Sequence, residues 1–279
     1  HTEVKKMQSI VDIKLKELKK WFNIRDNVMV AYSGGVDSSL LAQIAYLTLG
    51  SKAIAITSDS PSIARKDLAD AKELARSIGI RHIIINTFEI DNPDYFTNPE
   101  NRCYFCKEEL FLAIKTLAKQ EGIETIVDGT NSDDLSDYRP GTKAGDLYGI
   151  QRPFVELKIT KAEIREMSRS FNLPTADKPS SPCLSSRIAH GEIITFKKLN
   201  RIEKAENFIK QISGIQILRV RDHGDIVRIE VGTNERNLLL DEKLLDMVDC
   251  ELKNMGFKYV TFELSGYTSG NINGNSLLK

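Results

Sequence analysis

Apolar residues in the first half of the chain form short unbroken runs, and segments with helical spacing separate them. The runs lie at residues 28–31, 53–57, 82–86 and 125–130. A strand buried on both faces of a parallel sheet is apolar throughout, whereas a strand with one solvated face alternates with polar residues. The pattern therefore predicts a doubly wound α/β domain, in which helices cover both faces of a parallel sheet.

The pattern changes after residues 172–182 (NLPTADKPSSP), where three prolines interrupt regular structure. Just before them, Thr160 and Glu163 form a capping box that predicts the start of a helix. The elements predicted after them are a helix at about 197–212, a hairpin at 217–231 turning at His223 and Gly224, a helix ending near 255 and a strand at 259–264. We therefore predict an α/β domain at 1–182 and a small α+β domain for substrate binding or oligomer contacts at 183–279.

Composition narrows the class of partner. Lys plus Arg and Asp plus Glu number 39 each, so the chain as a whole has no field that would attract a polyanion, and we expect no nucleic-acid substrate. No apolar run reaches the roughly 18 residues of a membrane-spanning helix. The first 25 residues are charged and amphipathic, unlike a signal peptide. We expect a cytoplasmic protein that does not bind a membrane.

A glycine-rich loop at residues 33–38 (SGGVDS) joins the first strand to a helix. Backbone N–H groups and the positive end of the helix can hold an anion there, but the GxxxxGK[ST] pattern of a Walker loop is missing. The loop resembles the SGGxDS signature of the PP-loop ATP pyrophosphatases, which implies ATP. Asp37 would be repelled by phosphate unless Mg2+ lies between them; a plain glycine turn with Asp37 as helix N-cap is the alternative. The residues predicted to bind ATP here are Ser33, Gly34, Gly35, Asp37 and Ser38, with Asp37 also counted as catalytic.

Polar residues follow two other predicted strands. Because ligands of doubly wound sheets bind beyond the carboxyl ends of the strands, these residues are expected in the same crevice. Asp128, Asp133 or Asp134 could support Mg2+, although each could equally be a solvated loop residue. The further residues predicted to contact the nucleotide are Thr57, Ser58, Gly129 and Thr130.

The four cysteines are too few for a disulfide framework, and their spacing favours ligation or catalysis. Cys103 and Cys106 form a CxxC pair, and Cys183 lies in a CLSSR segment. Three thiolates could hold a cubane cluster with one open iron, but a cysteine that acts without a cluster, a zinc site or inert thiols remain open. Cys250 shares a predicted helix face with charged residues and is expected to be an exposed thiol.

The motifs SGGVDS, GTNSDD (129–134), DYRPG (137–141), CLSSR (183–187) and RVRDHGDIVRIE (219–230) occur in that order, and together they resemble the LarE family of ATP-dependent sulfur transferases. The resemblance covers nearly the whole chain. It implies adenylation of a pyridinium-3,5-biscarboxylic acid mononucleotide, release of pyrophosphate and conversion of each carboxylate to a thiocarboxylate, in nickel-pincer cofactor biosynthesis. It also implies a homo-oligomer, a hexamer built as a trimer of dimers.

Within that family the cysteines distinguish two chemistries, sacrifice of one cysteine sulfur or delivery of sulfide on a [4Fe-4S] cluster. The CxxC pair places this sequence with the cluster type, so the resemblance implies Cys103, Cys106 and Cys183 as cluster ligands, Cys183 as catalytic, and sulfide or another sulfur donor. Arg219 and Arg221 fall on one face of a strand, and the predicted turn puts Arg228 opposite Arg219. Such like charges favour a bound anion; a solvated arginine face paired with Asp222 or Glu230 is the alternative. By resemblance, the predicted substrate residues are Ser186, Arg187, Arg219, Arg221 and Glu230.

Three other functions fit parts of the pattern. A tRNA-thiolating PP-loop enzyme would be expected to carry basic patches and further CxxC pairs. An ammonia-using synthetase of the same fold, such as NAD or GMP synthetase, would not need the three cysteines. A noncatalytic nucleotide-binding protein with structural zinc would release no pyrophosphate.

Overall fold

The computed structural model describes residues 2–136 and 140–268. It divides into two compact units. The first comprises the chain up to Ser60, Arg65–Glu89 and Cys103–Ser181; the second comprises Pro61–Ala64, Ile90–Arg102 and the chain from Pro182 onward. The domain boundary proposed between residues 182 and 183 stays a prediction.

The first unit is built on a parallel sheet of β1 (Val28–Ala31), β2 (Ala53–Asp59), β3 (Arg81–Asn86) and β4 (Ile126–Asp128). The strand order is β3-β2-β1-β4, and every pair is parallel. Each predicted strand is therefore found, and the predicted α/β class is confirmed. On the outer side of β4, Gln151 pairs with Val127 in a single bridge.

Helices cover both faces of this sheet, and further helices belong to the second unit. The helices in the described chain are α1 (Thr2–Asn23), α2 (Val36–Leu49), α3 (Arg65–Ile78), α4 (Pro93–Phe96), α5 (Arg102–Glu121), α6 (Pro140–Leu147), α7 (Pro153–Glu156), α8 (Lys161–Ser170), α9 (Phe196–Ser213) and α10 (Glu242–Asn254). Residues of α1, α2, α3 and α8 form one core with Val28 and Val30 of β1, while residues of α5 and α6 form another with Met29. Successive side chains of a strand point to opposite faces, so β1 is apolar throughout because it lies between two cores.

The second unit contains a three-stranded sheet of β5 (Leu218–His223), β6 (Ile226–Val231) and β7 (Tyr259–Phe262). β5 and β6 are antiparallel, and β7 runs parallel to β6. One apolar core joins this sheet to α9 and α10. Hydrophobic burial on one face of each element therefore gives this unit a core of its own.

The predicted hairpin register is wrong. Arg219 pairs with Glu230, and Arg221 pairs with Arg228. Since His223 pairs with Ile226, the turn lies one residue later than predicted, at Gly224 and Asp225. A turn that moves by one residue shifts every cross-strand partner by two, which replaces the expected Arg–Arg pair at position 219 by an Arg–Glu pair.

In the described residues, no helix is both long and apolar enough to cross a membrane.

Candidate functional site

The loop at 33–38 lies where the strand order of the first sheet reverses. β1 has β2 on one side and β4 on the other, with Ala31 level with Asp128, so the segments that follow β1 and β4 meet. A Cβ added to Gly129 would lie 2.9 Å from the backbone nitrogen of Ser38. This crevice at the carboxyl ends of β1 and β4 is where doubly wound proteins bind ligands.

The glycines of the loop allow its backbone conformation and its close packing. Gly34 has a φ of 72°, in the left-handed region, and a Cβ there would lie 2.7 Å from the Cβ of Ala71. Gly35 is the N-cap of α2, and no side chain caps this helix end. The hydroxyl of Ser38 accepts a hydrogen bond from the backbone N–H of Ser33 at 3.1 Å. The loop therefore presents backbone N–H groups and two hydroxyls, a suitable lining for phosphate oxygens.

Asp37 does not cap the helix, so the N-cap alternative does not hold. Its carboxylate forms an ion pair with Lys161 Nζ and accepts a hydrogen bond from Asn131 Nδ2 at 3.2 Å. Lys161 is the first residue of α8, whose capping box forms as predicted between Thr160 and Glu163. Sequence reasoning missed Lys161 as a site residue, since the capping box alone signals where its helix begins and says nothing about Asp37.

The other acidic residues of this crevice bind backbone N–H groups. Asp128 Oδ1 accepts from the N–H of Thr130 at 2.9 Å, and Asp134 Oδ2 accepts from the N–H of Asn131 at 3.1 Å. Asp133 Oδ2 accepts from the N–H of Lys161 at 2.8 Å. These carboxylates shape the segment after β4 and bring it next to Asp37, although Asp133 is also exposed to solvent.

Thr57 at the end of β2 is buried and makes its contacts within the protein. Its hydroxyl donates to the backbone carbonyl of Tyr32 at 2.6 Å and lies 2.8 Å from His82 Nε2. Because a hydroxyl has one hydrogen, His82 donates to it. Burial lowers the pKa of His82, and Lys72 lowers it further. Ser58 is half-buried and Asp59 pairs with Arg65.

The cysteines lie in different parts of the chain. Cys103 and Cys106 stand one helical turn apart in the first turns of α5; Cys103 is exposed and Cys106 is half-buried. Cys183 is half-buried and precedes a 3-10 turn at Leu184–Arg187. Positions i and i+3 share a helix face, so the CxxC pair suits two corners of one metal centre. Across residues 2–136 and 140–268, however, no three His, Cys, Asp or Glu side chains are grouped to hold a metal ion.

Residues 182–187, which we call the cysteine loop, lie against a buried charged cluster in the second unit. Arg187 forms an ion pair with Glu206 of α9 at 2.9 Å, and both side chains are almost fully buried. Glu206 has no counterpart among the predicted site residues, because a single Glu in an amphipathic helix gives no sequence signal.

Arg221 also contacts the cysteine loop. It donates to the backbone carbonyl of Ser186 at 2.9 Å and forms an ion pair with Glu230 at 2.8 Å. Glu230 contacts Arg228 as well, and Arg228 is paired with Glu263. Since Arg221 is 4% exposed and Glu230 is 0% exposed, the arginine face is buried and not solvated, although its expected pairing with Glu230 is found.

Arg219 lies close to two other arginines of this cluster, Arg187 and Arg221. It donates to the carbonyl of Leu218 at 2.7 Å and stacks over the ring of Tyr267 at 4.9 Å. Burial lowers the pKa of Arg219, and the nearby Arg187 lowers it further. A shift in this direction means that the surroundings disfavour the charge, which a bound anion would stabilise.

Two further sequence predictions concern the DYRPG motif and Cys250. Residues 137–139 of the DYRPG motif lie outside the described residues. Cys250 is exposed on α10, as the spacing of its charged neighbours predicts.

Comparison with known proteins gives matches over nearly the whole chain. The family model described as NAD synthase matches residues 6–186. The uncharacterized protein slr1717 of Synechocystis sp. is 44% identical, and the match covers 95% of this chain and 98% of that protein. The pyridinium-3,5-bisthiocarboxylic acid mononucleotide synthase of Lactiplantibacillus plantarum is 29% identical over 88% of each chain. A tRNA-specific 2-thiouridylase of Rickettsia typhi is 27% identical over 74% of this chain and 66% of its own.

Proposed function

The chain belongs to the NAD synthase family, and from this premise we propose that it is an ATP-dependent sulfurtransferase of the PP-loop type. The relative from Lactiplantibacillus plantarum confirms the resemblance to the LarE family that the sequence motifs carry. The finer proposal is that it adenylates the carboxylates of a pyridinium-3,5-biscarboxylic acid mononucleotide and converts them to thiocarboxylates. The observation that carries the proposal is the loop at 33–38, which we call the phosphate loop, together with its Asp37–Lys161 pair.

We propose that the loop at 33–38 holds the pyrophosphate of ATP. Gly35 and Gly129 carry no side chain that would cover the backbone, and the uncapped start of α2 supplies N–H groups and a partial positive charge. The hydroxyls of Ser33 and Ser38 add hydrogen bonds. Charge that develops on the leaving pyrophosphate would be stabilised here, which is the largest contribution that a protein can make to such a step.

We propose that Asp37 helps to bind Mg2+. The side chains present fit the ion, because Asp37, Asn131 and Asp128 offer oxygen ligands at one edge of the sheet. Magnesium would neutralise the phosphate charge. Asp37 would help to hold the ion, and the ammonium group of Lys161 would then be available to a phosphate oxygen, so that both charges would keep a partner.

In the second unit, we propose that Arg219 binds an anionic group of the substrate, its phosphate or a carboxylate. Burial is the main cause of its lowered pKa, and the positive charges of Arg187 and Arg221, which add to the shift, would also attract an anion. Arg221 and Glu230, which form an ion pair, would hold the surface next to Arg219 in place. Ser186 is the remaining residue proposed to contact the substrate. A carboxylate oxygen of the substrate attacks the α-phosphorus of ATP and pyrophosphate leaves; a sulfur nucleophile then attacks the acyl carbon and AMP leaves with that oxygen.

For the sulfur step, we propose Cys103, Cys106 and Cys183 as ligands of a [4Fe-4S] cluster. When bound, such a cluster supplies an open iron that can carry an added sulfide. The helical spacing of Cys103 and Cys106 supports the proposal for two of the ligands. The chain's own cysteines would then not be consumed.

The test is an oxygen-free assay of the parent chain and Asp37→Ala with the pyridinium mononucleotide, ATP, Mg2+ and sulfide. We expect the parent to release pyrophosphate and form thiocarboxylate. Asp37→Ala should lower pyrophosphate release by about 100-fold or more, because the carboxylate that would hold the metal is lost, while its iron content is unchanged, because the cysteines are untouched. The control for the cluster is Cys106→Ala, which should lose iron and product while the thermal unfolding midpoint stays near that of the parent.

Other outcomes would reject specific parts of this proposal. Amide formed from ammonia instead of thiocarboxylate would assign the chain to the synthetases, and thiolated tRNA would assign it to the relatives that modify tRNA. Product formed without iron, or stoichiometric zinc in the parent, would reject the cluster. Equal pyrophosphate release by the parent and Asp37→Ala would reject the phosphate loop.

A further inference from the structure

The cysteine loop is fixed to its surroundings by hydrogen bonds on both sides of Cys183. The backbone N–H of Leu184 donates to the carbonyl of Ser62 at 2.8 Å. The hydroxyl of Ser185 lies 2.6 Å from the hydroxyl of Tyr95. A loop that carries a reactive group needs such support, because its backbone could otherwise move by as much as the distance between the reacting atoms.

Arg187 is the side chain that bonds most extensively to this loop. Its Nη1 donates to the carbonyl of Pro182 at 2.5 Å and to the carbonyl of Cys183 at 3.0 Å. The same nitrogen lies 3.0 Å from the hydroxyl of Ser186, which itself donates to the carbonyl of Cys183 at 2.7 Å. The guanidinium therefore binds the backbone on which the cysteine side chain is mounted.

Glu206 holds the opposite edge of this guanidinium. Arg187 donates through Nε at 2.9 Å and through Nη2 at 3.1 Å to the two carboxylate oxygens. The carboxylate also accepts from the backbone N–H of Val220 in β5 at 3.1 Å. A bidentate pair of this kind fixes the plane of the guanidinium, and here it links the cysteine loop to both α9 and β5.

Arg187 and Glu206 offset each other's cost of burial. Burial alone would lower the pKa of Arg187, but the carboxylate of Glu206 outweighs it and the pKa is raised. Burial would raise the pKa of Glu206, but Arg187 outweighs it and the pKa is lowered. Both groups therefore stay charged, and loss of one would leave the other buried without its partner.

We infer that Arg187 and Glu206 are positioning residues that hold Cys183 in place for sulfur transfer, and that Arg187 is not a ligand of the substrate. The inference rests on the proposed function for the identity of the reaction. A guanidinium has five N–H hydrogens, and protein acceptors engage four of them: Nε and one hydrogen of Nη2 meet Glu206, and the two hydrogens of Nη1 are shared among three acceptors of the cysteine loop. With 3% of the residue exposed, a substrate anion would have to displace the loop to reach it.

The structural test uses Glu206→Gln and Arg187→Lys in the full chain, after a chelator and a reductant have removed any metal. Glu206→Gln keeps the volume and one acceptor but removes the charge, and Arg187→Lys keeps the charge but not the fork. We expect hydrogen exchange at the amides of Leu184 and Ser186 to rise about tenfold in both variants. Alkylation of Cys183 by iodoacetamide, followed on its own peptide by mass spectrometry, should quicken by a similar factor.

Arg201→Lys is the matched control. Arg201 makes a bidentate pair with Asp222 at 2.6 Å in the same unit, and it also donates to Gly224 instead of to the cysteine loop. This substitution should change the stability of the chain without changing exchange or alkylation in the cysteine loop. Unchanged exchange and alkylation in both test variants would overturn the inference.

The kinetic test separates positioning from binding. With the holoenzyme and the pyridinium mononucleotide, Glu206→Gln and Arg187→Lys should lower kcat for thiocarboxylate about 100-fold, with KM for the mononucleotide little changed and pyrophosphate still released. A large rise in KM for Arg187→Lys alone, with kcat preserved, would make Arg187 a substrate ligand and overturn the inference. If the parent forms no thiocarboxylate, the proposed function fails, and exchange and alkylation still decide the positioning role.

Discussion

Gly34 shows how closely the phosphate loop depends on a missing side chain. Its φ of 72° is unfavourable for other residues, and Ala71 of α3 stands where a Cβ would go. Both constraints act at one position, so the loop conformation and the packing of α3 are coupled there. The missing side chain of the residue proposed to lie beside phosphate thus also allows a helix to approach the loop.

We predict that Gly34→Ala destabilises the chain and impairs the phosphate loop. Strain at a positive φ costs about 1 to 2 kcal/mol, and a Cβ 2.7 Å from Ala71 adds about 1 to 3 kcal/mol of overpacking. The measurements are urea unfolding and pyrophosphate release. The control is Gly149→Ala, because Gly149 has a φ of 69° and a Cβ there would meet no heavy atom within 4 Å, so this variant should show only the strain cost. Equal losses in both variants would contradict the steric argument.

The capping box at the start of α8 connects a local sequence signal to the candidate site. Thr160 and Glu163 satisfy the first N–H groups of the helix, and Lys14 of α1 binds Glu163 at 2.7 Å. The fixed helix start sets the direction of Lys161 toward Asp37. An element that looks purely structural in the sequence therefore supports the phosphate loop.

We predict that Thr160→Ala raises the KM for ATP several-fold and lowers the free energy of unfolding by about 1 kcal/mol, because the helix start that carries Lys161 loosens. Unfolding in urea and the ATP dependence of pyrophosphate release measure the two effects. Thr195→Ala is the matched control, since Thr195 caps α9 through the N–H of Lys198 at 3.2 Å. It should cost similar stability without changing the KM for ATP; a similar rise in KM would contradict the prediction.

The sequence is a good guide to elements and a poor one to long-range pairs. Period and apolar runs predicted every strand and the capping box, because these signals are local. The partner of Asp37 is 124 positions away in the chain, and nothing near either residue encodes that distance. The hairpin register failed for a related reason: Gly224 and Asp225 make as good a turn as His223 and Gly224, and packing decides between them.

Charge is balanced in the chain as a whole but unevenly distributed inside it. The second unit buries several Arg–carboxylate pairs, and each unit contains a histidine whose pKa is lowered. Burial is the main cause for both His82 and His223, and nearby cations, Lys72 and Arg228, add to it. Net charge therefore gives no information about how stability depends on pH.

We predict that stability falls as the pH drops below 6.5, the usual pKa of histidine. The folded chain binds fewer protons than the unfolded chain in this window, since His82 and His223 have lowered pKa values only when folded. The free energy of unfolding should therefore rise with pH through the window and level off above it. Urea unfolding at a series of pH values measures the slope, and His82→Gln, which keeps a donor for Thr57, should reduce it. An identical slope in His82→Gln would contradict the assignment.

The bridge between Gln151 and Val127 has a consequence for the behaviour of the chain at high concentration. β4 is three residues long, and both Asp128 and Ile126 already exchange backbone hydrogen bonds with Gln151 on its outer side. An unpaired edge strand can pair with another polypeptide and start aggregation, but here the chain itself occupies that edge. Crowded or overexpressed protein should consequently self-associate through other surfaces than this border of the sheet.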